Sequence, residues 1–438
     1  MAANKKILFY AALGLAMLAI TVIAAETVSF AFLYIENGHW NSKAEIQATL
    51  QKTIKNTGAG KGIATQDRSP NYMQQHILHP YLGFVRNSDI ERHWFNGRVV
   101  KEPLNKFGFW GPEPPTSPLQ DTYVIGITGG SVAAEFYLYG RKNLAAALTE
   151  KNLLGDRTIM FVSIALGGMK QPQQTLALNY FLSIGRHFDA VINIDGFNEI
   201  VLPAVDNAPY KVNPFYPRNW RMYATKYINP RTVMLSGEIS VINQKLDTWS
   251  RRLARFPFRE SYTVLAVWQQ LYNRLTTRQR QLEKQLQQQL RKKKQLSAQE
   301  SGPKYEYGSL KTLMDDSASV WQASSIQMWA LCKENSIDYY HFLQPNQYFP
   351  NTHTPTDWER THAISGPNYP YRKGAEAGYP FLQAGGTALR AYGVPFTDLS
   401  QIFKHESRSV YRDACCHYNQ LGNAVLADAI SAAMEETK

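Results

Sequence analysis

A serine follows a glycine pair in Thr128-Gly129-Gly130-Ser131-Val132-Ala133. A hydroxyl at a strand-to-helix turn sits where backbone N–H groups and the helix dipole favour negative charge. That is a fit place for a nucleophile whose attack creates an oxyanion. The two glycines permit positive φ and close backbone approach. Three further blocks carry bare backbone or chemistry-bearing side chains. Ala165-Leu-Gly-Gly168 offers an N–H unscreened by a side chain, and Asp195-Gly-Phe-Asn-Glu199 ends an apolar run in polar groups. Arg412-Asp413-Ala-Cys-Cys-His417 brings an acid and an imidazole together. Each block has an ordinary alternative: glycine pairs make turns, Asn198 and Asp413 cap helices, and histidines lie on surfaces. Their joint order selects the chemical reading: serine, glycine, asparagine, then Asp and His.

The elements that must position them are legible as alternation. The runs Tyr123–Ile127, Thr158–Ala165, Ala190–Ile194 and Tyr339–Leu343 read as buried strands, with helical stretches between the first three. Ala133–Leu148 and Ala424–Met434 have helical composition. Strands alternating with helices predict a parallel sheet covered on both faces, an α/β fold built as a three-layer α/β/α sandwich. The serine, glycine and asparagine blocks fall at the C-terminal ends of strands, where open α/β sheets hold their ligands.

The order of blocks resembles the SGNH (GDSL-type) hydrolase family, over roughly 120–200 and 335–435. The family's Gly-Asp-Ser block is similar to Gly129-Gly130-Ser131, with Gly130 in place of Asp. Its Gly-x-Asn-Asp block resembles Gly196-Phe197-Asn198-Glu199, and its glycine block matches Gly168, with Gly167 as the alternative. The closing Asp-x-x-His resembles Asp413…His417, lengthened by one residue. A separation of four still returns both side chains to one side, in a helical turn or an extended segment. The resemblance implies a flavodoxin-like sandwich and a serine ester hydrolase. Ser131 is then the nucleophile, His417 the base that takes its proton and Asp413 the acid that orients the ring. The N–H groups of Ser131 and Gly168 and the Asn198 amide receive the oxyanion, and no metal or organic cofactor is required. The implied substrate is an ester-bearing small molecule or glycan. Two alternatives use the same segments: an O-acetyltransferase of an envelope glycan, and a glycan-binding domain without catalysis. Gln344 and Asn346, just past the fourth strand, are placed to line a pocket with the 346–390 loop.

Outside this domain the chain divides by composition. Ile7–Ala25 is nineteen residues without charge, following Lys5 and Lys6. As a helix it spans about 28 Å, close to the thickness of a bilayer's hydrocarbon layer. This predicts a single-pass anchor in the inner (plasma) membrane over 1–36, with the lysines inside and the catalytic domain outside the cytoplasm. A cleaved signal peptide ending at Ala24-Ala25 is the rival. Residues 37–118 read as a linker and irregular segment, with Thr57–Gly62 as a spacer, and 119–438 as the main domain. An insertion at about 205–310 carries the basicity. Residues 251–295 hold twelve Lys/Arg and two Glu, so +10 of the net +12 lies there, ending in Arg291-Lys-Lys-Lys294. That localisation argues against a nucleic-acid partner for the main domain. Leucines at 271, 275, 282, 286 and 290 predict an amphipathic helix over 261–299. It either packs on its own domain or rests on anionic lipid. Three cysteines are too few for a disulfide scaffold or a zinc site. One bridge, from Cys332 to Cys415 or Cys416, is expected to pin the His-bearing loop.

Overall fold

The computed structural model describes residues 2–40, 42–57, 75–90, 93–228, 230–291 and 297–437. Past Thr57, the Thr57–Gly62 spacer lies outside the described residues, as do Lys292, Lys293 and Lys294. The chain forms two compact units, Met1–Pro70 with Thr225–Lys292, and Asn71–Ala224 with Lys293–Lys438.

The larger unit opens with two hairpins, β1 (His76–His79) with β2 (Gly83–Arg86) and β3 (His93–Phe95) with β4 (Arg98–Val100). Its core is a fully parallel sheet of β5 (Thr122–Gly129), β6 (Thr158–Ser163), β7 (Ala190–Asp195), β8 (Asp338–Leu343) and β9 (Phe396–Asp398). The order is β6-β5-β7-β8-β9. The run Tyr123–Gly129 is buried at every position, as a strand covered on both faces must be. Helices Arg141–Glu150 and Gln420–Glu436 pack together, and Leu310–Glu334 packs with Gln173–Ser183 and Pro370–Tyr392, which supplies the two outer layers. The four expected strands are present with ends shifted by one or two residues, and a three-residue fifth, β9, is added at the edge. The expected helix Ala133–Leu148 is divided: Ser131–Glu135, a wider turn Phe136–Gly140, then Arg141–Glu150. From β5 the chain crosses to β6 on one side and from β6 to β7 on the other. The crevice between the ends of β5 and β7 is therefore a topological switch point, the place where such sheets bind ligands.

The smaller unit is helical: Ala2–Asn37, Ser42–Thr57, Pro230–Leu253 and Tyr262–Arg291. The first helix contains a stretch, Leu8–Asn37, long and apolar enough to span a membrane. Its C-terminal third turns inward, where Leu33 joins Ile46, Leu50, Leu265 and Trp268 in one buried cluster. The leucine stripe of Tyr262–Arg291 also has an intramolecular partner. Leu282 is buried with Leu235, Ile242 and Leu246, and Leu275 and Leu286 pack beside them. These contacts take the apolar face of the basic helix away from solvent and lipid alike.

Candidate active site

Backbone geometry fixes the serine. β5 ends at Gly129 with φ +139°, and a Cβ there would lie 2.2 Å from the Ile194 carbonyl oxygen, so glycine is required twice over. At Gly130 a Cβ would lie 2.1 Å from Asn198 Nδ2 and 3.1 Å from the Met169 carbonyl oxygen. That contact leaves no room for a larger side chain at this position. Ser131 then opens the helix Ser131–Glu135. Asn198 lies in the first turn of Phe197–Leu202, directly after β7, and its Nδ2 donates to the Met169 carbonyl at 2.8 Å. Glu199, standing where the resemblance would put aspartate, is a brace. Its carboxylate accepts from the N–H groups of Gly196 (2.8 Å) and Gln171 (3.1 Å) and from Gln174 Nε2 (2.8 Å). Burial, then the neighbouring Asp195 carboxylate, push Glu199 above the usual carboxylate range. Gly168 adopts φ +79° in the turn after β6. Among the described residues neither its N–H nor that of Ser131 has a partner within the protein, and Asn198 keeps a second amide hydrogen uncommitted.

The loop 411–418 delivers the histidine. It is closed by the Arg412 N–H donating to the His417 carbonyl at 2.9 Å and by a bridge between Tyr411 and Tyr418. Asp413 Oδ1 accepts from the N–H groups of Cys415 (3.0 Å) and Cys416 (3.3 Å), an Asx-type turn. This turn accommodates the extra residue, and it is neither the helical nor the extended form expected. Asp413 Oδ2 lies 2.7 Å from His417 Nδ1, and His417 Nε2 lies 2.8 Å from Ser131 Oγ. The loop's carbonyls are gripped from behind. Gln347 Nε2 donates to Asp413 O (3.0 Å), Tyr348 Oη to Ala414 O (2.6 Å) and Asn346 Nδ2 to Cys415 O (3.4 Å). Asn346 is thus fully buried and directed at the loop. Gln344 is buried too, and its Nε2 has no partner among the described residues.

Three residues to which the sequence assigned no role meet at this histidine. Asn96, at φ +46° in the Asn96-Gly97 turn of the β3–β4 hairpin, donates through Nδ2 to Glu135 Oε1 at 2.8 Å. The same Nδ2 lies 3.0 Å from His417 Nε2. Arg412 Nη2 donates to the same Glu135 oxygen at 2.6 Å. The Glu135 carboxylate therefore sets which way the Asn96 amide faces, and the partners set the tautomer: Nδ1–H to Asp413, lone pair on Nε2. Asn-Gly between the aromatic-bearing His93–Phe95 and the valine-bearing Arg98–Val100 is a legible hairpin signal, but nothing in the sequence ties that hairpin to His417.

The electrostatics follow from these contacts. Burial works against the charge on His417. The Asp413 hydrogen bond, then Cys415 and Glu135, outweigh it and push the imidazole up to about 9. Burial likewise opposes the charge on Asp413, yet the His417 hydrogen bond holds its carboxyl well below the usual range. Burial also pushes Lys170 down to about 7, and its Nζ donates to the carbonyls of Pro214 and Tyr216, tying the turn after Gly168 to the segment 214–216.

The expected bridge from Cys332 is not formed, and all three cysteines are free. Cys332 lies just before β8, whereas Asn346, just past β8, binds the Cys415 carbonyl. The six-residue strand between separates the two ends by roughly 20 Å. Cys415 and Cys416 instead place their sulfurs 3.0 Å apart. With His417 they form the one cluster of potential metal donors among the described residues. A cation there would compete with Ser131 for the imidazole. A second Ser–His–Asp string, Ser325 Oγ to His341 Nδ1 (2.7 Å) and His341 Nε2 to Asp195 Oδ1 (2.8 Å), is sealed in the core. Trp321 Nε1 also donates to that aspartate, at 2.6 Å. With no open face, this string is a buried polar network.

No family model and no curated protein matches the chain. Among solved structures, the chain is similar to a GDSL-like lipase from Bacteroides thetaiotaomicron VPI-5482. The identity is 9% and the TM-score 0.32, over 73% of this chain and 90% of that one.

Proposed function

We propose that the chain is a membrane-anchored serine ester hydrolase of the SGNH type, acting outside the cytoplasm on acyl esters of an envelope glycan or a related ester. The observation that carries this reading is the continuous relay Ser131 Oγ, His417 Nε2, His417 Nδ1, Asp413 Oδ2, with steps of 2.8 and 2.7 Å. Neutral His417 takes the Ser131 proton as the oxygen adds to the ester carbonyl, and Asp413 stabilises the imidazolium. The oxyanion is received by the N–H groups of Ser131 and Gly168 and the second amide hydrogen of Asn198, donors worth roughly 3–4 kcal/mol each in other serine enzymes. Collapse breaks the bond to the leaving alcohol, which takes the proton from His417. Water, deprotonated by the same imidazole, then cleaves the acyl-serine and regenerates the hydroxyl. Lys5 and Lys6 before the apolar stretch support an orientation with the hydrolase outside the cytoplasm.

Incubation with an aryl acetate, with and without an acceptor glycan, together with fluorophosphonate labelling mapped by peptide, tests the proposal. Acceptor-independent phenol release, with label on Ser131 and both lost in Ser131→Ala, is expected. Turnover that requires the acceptor would make the chain a transferase. Absence of any label or acyl-enzyme would make the domain a binding module.

A further inference from the structure

The first helix gains partners along one face from Glu26 onward, while Val28 and Ile35 stay exposed. From Leu8 to Ile23 its large side chains face outward, with Leu8 71%, Phe9 65%, Ile20 67% and Ile23 65% exposed. At Glu26 the helix acquires partners. The Glu26 carboxylate accepts from Ser261 Oγ and from the N–H groups of Tyr262 (2.7 Å) and Thr263 (3.4 Å), capping the helix Tyr262–Arg291 across 235 residues of sequence. One turn on, Phe30 meets Tyr262 edge to face with centroids 5.1 Å apart. Glu26 therefore fixes the turn between the two long helices at the level where the uncharged stretch ends.

That turn is built unlike a turn meant for water. Phe256 is 78% exposed, Phe258 50% and Trp249 44%, and no core claims them. Around them stand Arg251, Arg252, Arg255 and Arg259. Asp247 binds Arg251 and Glu260 binds Arg259, with Lys43 also on Glu260 at 2.9 Å. Arg252 and Arg255 have no acidic partner among the described residues. Exposed aromatics interleaved with uncompensated arginines form the pattern of a segment seated in the headgroup layer.

We propose that the turn 249–259 is a membrane foot. Phe256, Phe258 and Trp249 enter the headgroup layer of the bilayer that holds the first helix, and Arg252 and Arg255 bind anionic phospholipid headgroups. The proposal rests on the anchor reading of residues 7–25 and not on the ester chemistry. Its occupant is the lipid surface, because the chain already tethers the turn at the bilayer's edge.

The test uses the full chain in nanodiscs of phosphatidylcholine alone or with one-third phosphatidylglycerol, in a background with Cys415 and Cys416 changed to serine. An environment-sensitive fluorophore is attached at Phe256→Cys. As a control it is attached at Gln288→Cys, exposed roughly 39 Å along the helix from Tyr262. Headgroup-region spin-labelled lipid is expected to quench position 256 strongly and position 288 weakly. The anionic lipid should raise quenching at 256 by about twofold, and Arg252→Gln with Arg255→Gln should abolish that gain. Equal quenching at the two positions would overturn the foot, as would quenching at 256 indifferent to both lipid charge and the paired substitution. Retention in the nanodisc fraction is scored separately. A chain that does not stay in the disc overturns the anchor reading and the foot together.

Discussion

Gly130 is the position where steric logic and catalytic logic meet. Its φ of −85° is negative, so the left-handed strain that holds Gly129 to glycine is absent, and the close contact is what a substitution there meets. A Cβ at 2.1 Å from Asn198 Nδ2 violates the 3.0 Å that real contacts respect, so the amide must retreat by at least 0.9 Å, the difference. Its bond to the Met169 carbonyl, 2.8 Å long, goes with it. The lost hydrogen bond costs about 1 kcal/mol of stability. On the proposed mechanism that amide is an oxyanion donor, and displacing it costs about 10²–10³ in kcat. Gly130→Ala is therefore expected to lose far more activity than stability, with KM little changed. The assay is aryl acetate hydrolysis normalised to fluorophosphonate-reactive Ser131, beside a thermal melt. Asn198→Ala should show the same loss of kcat. Because both changes act through one amide, the double variant should be no worse than Asn198→Ala, within about 0.5 kcal/mol. Gly130→Asp, larger still, should also lower the activity. A Gly130→Ala enzyme within threefold of the parent, or additive losses in the double variant, would refute the reasoning.

Other outcomes follow from the site. His417 must be neutral to accept the serine proton, and its surroundings push it up to about 9, so kcat/KM should rise with pH through about 9. A plateau already complete at pH 7 would contradict this. The charged form also stabilises the fold. That contribution is full below about pH 6.5 and lost as pH rises through about 9, so the melting temperature should fall over that window more than in His417→Ala. Asn96 donates to the lone pair of His417 Nε2 and so favours the neutral ring. Asn96→Ala, losing about 0.5–1.5 kcal/mol of that preference, should move the rising limb upward by about 0.4–1 pH unit, and an unmoved limb would rule out the contact. Asp413→Asn keeps an acceptor for the Cys415 and Cys416 N–H groups but turns an amide towards Nδ1. It should lower kcat by about 10³–10⁴ with little loss of fold; near-parental turnover would leave a Ser–His dyad.

The sheet was readable because its strands are buried on both faces, and an uninterrupted apolar run as short as Tyr123–Ile127 suits a covered strand better than a helix. β9 was not, since three residues carry too little pattern to separate from a loop. Ser131, Gly168, Asn198, Asp413 and His417 were legible as types in order, because each sits at a turn that limits which residues fit. Asn96, Glu135 and Arg412 were illegible for the opposite reason: their roles come from tertiary neighbours 39 to 321 residues away. The position of Asn346 just past a strand predicts a pocket residue. Its amide instead holds the Cys415 carbonyl, a use that position alone does not reveal. The pairing of cysteines erred because sequence distance to a strand does not say which end of the sheet a thiol occupies.

The cap that Glu26 places on Tyr262 sets an order of assembly. The smaller unit is discontinuous, made from Met1–Pro70 and Thr225–Lys292. A chain emerging from its N-terminus must hold Leu33, Ile46 and Leu50 without their partners Leu265 and Trp268 until the whole of 71–224 has been made. The sheet strands β5, β6 and β7 are complete before that, while β8 and β9 come after. Each unit is thus interrupted by the other, and neither finishes on its own schedule. Cutting the chain after Asn37 to obtain a soluble protein would remove Leu33 and Glu26 together. It would strand an apolar cluster and uncap a thirty-residue helix. Cutting after Ala25 would leave both in place, and the two cuts lie only about three turns of helix apart.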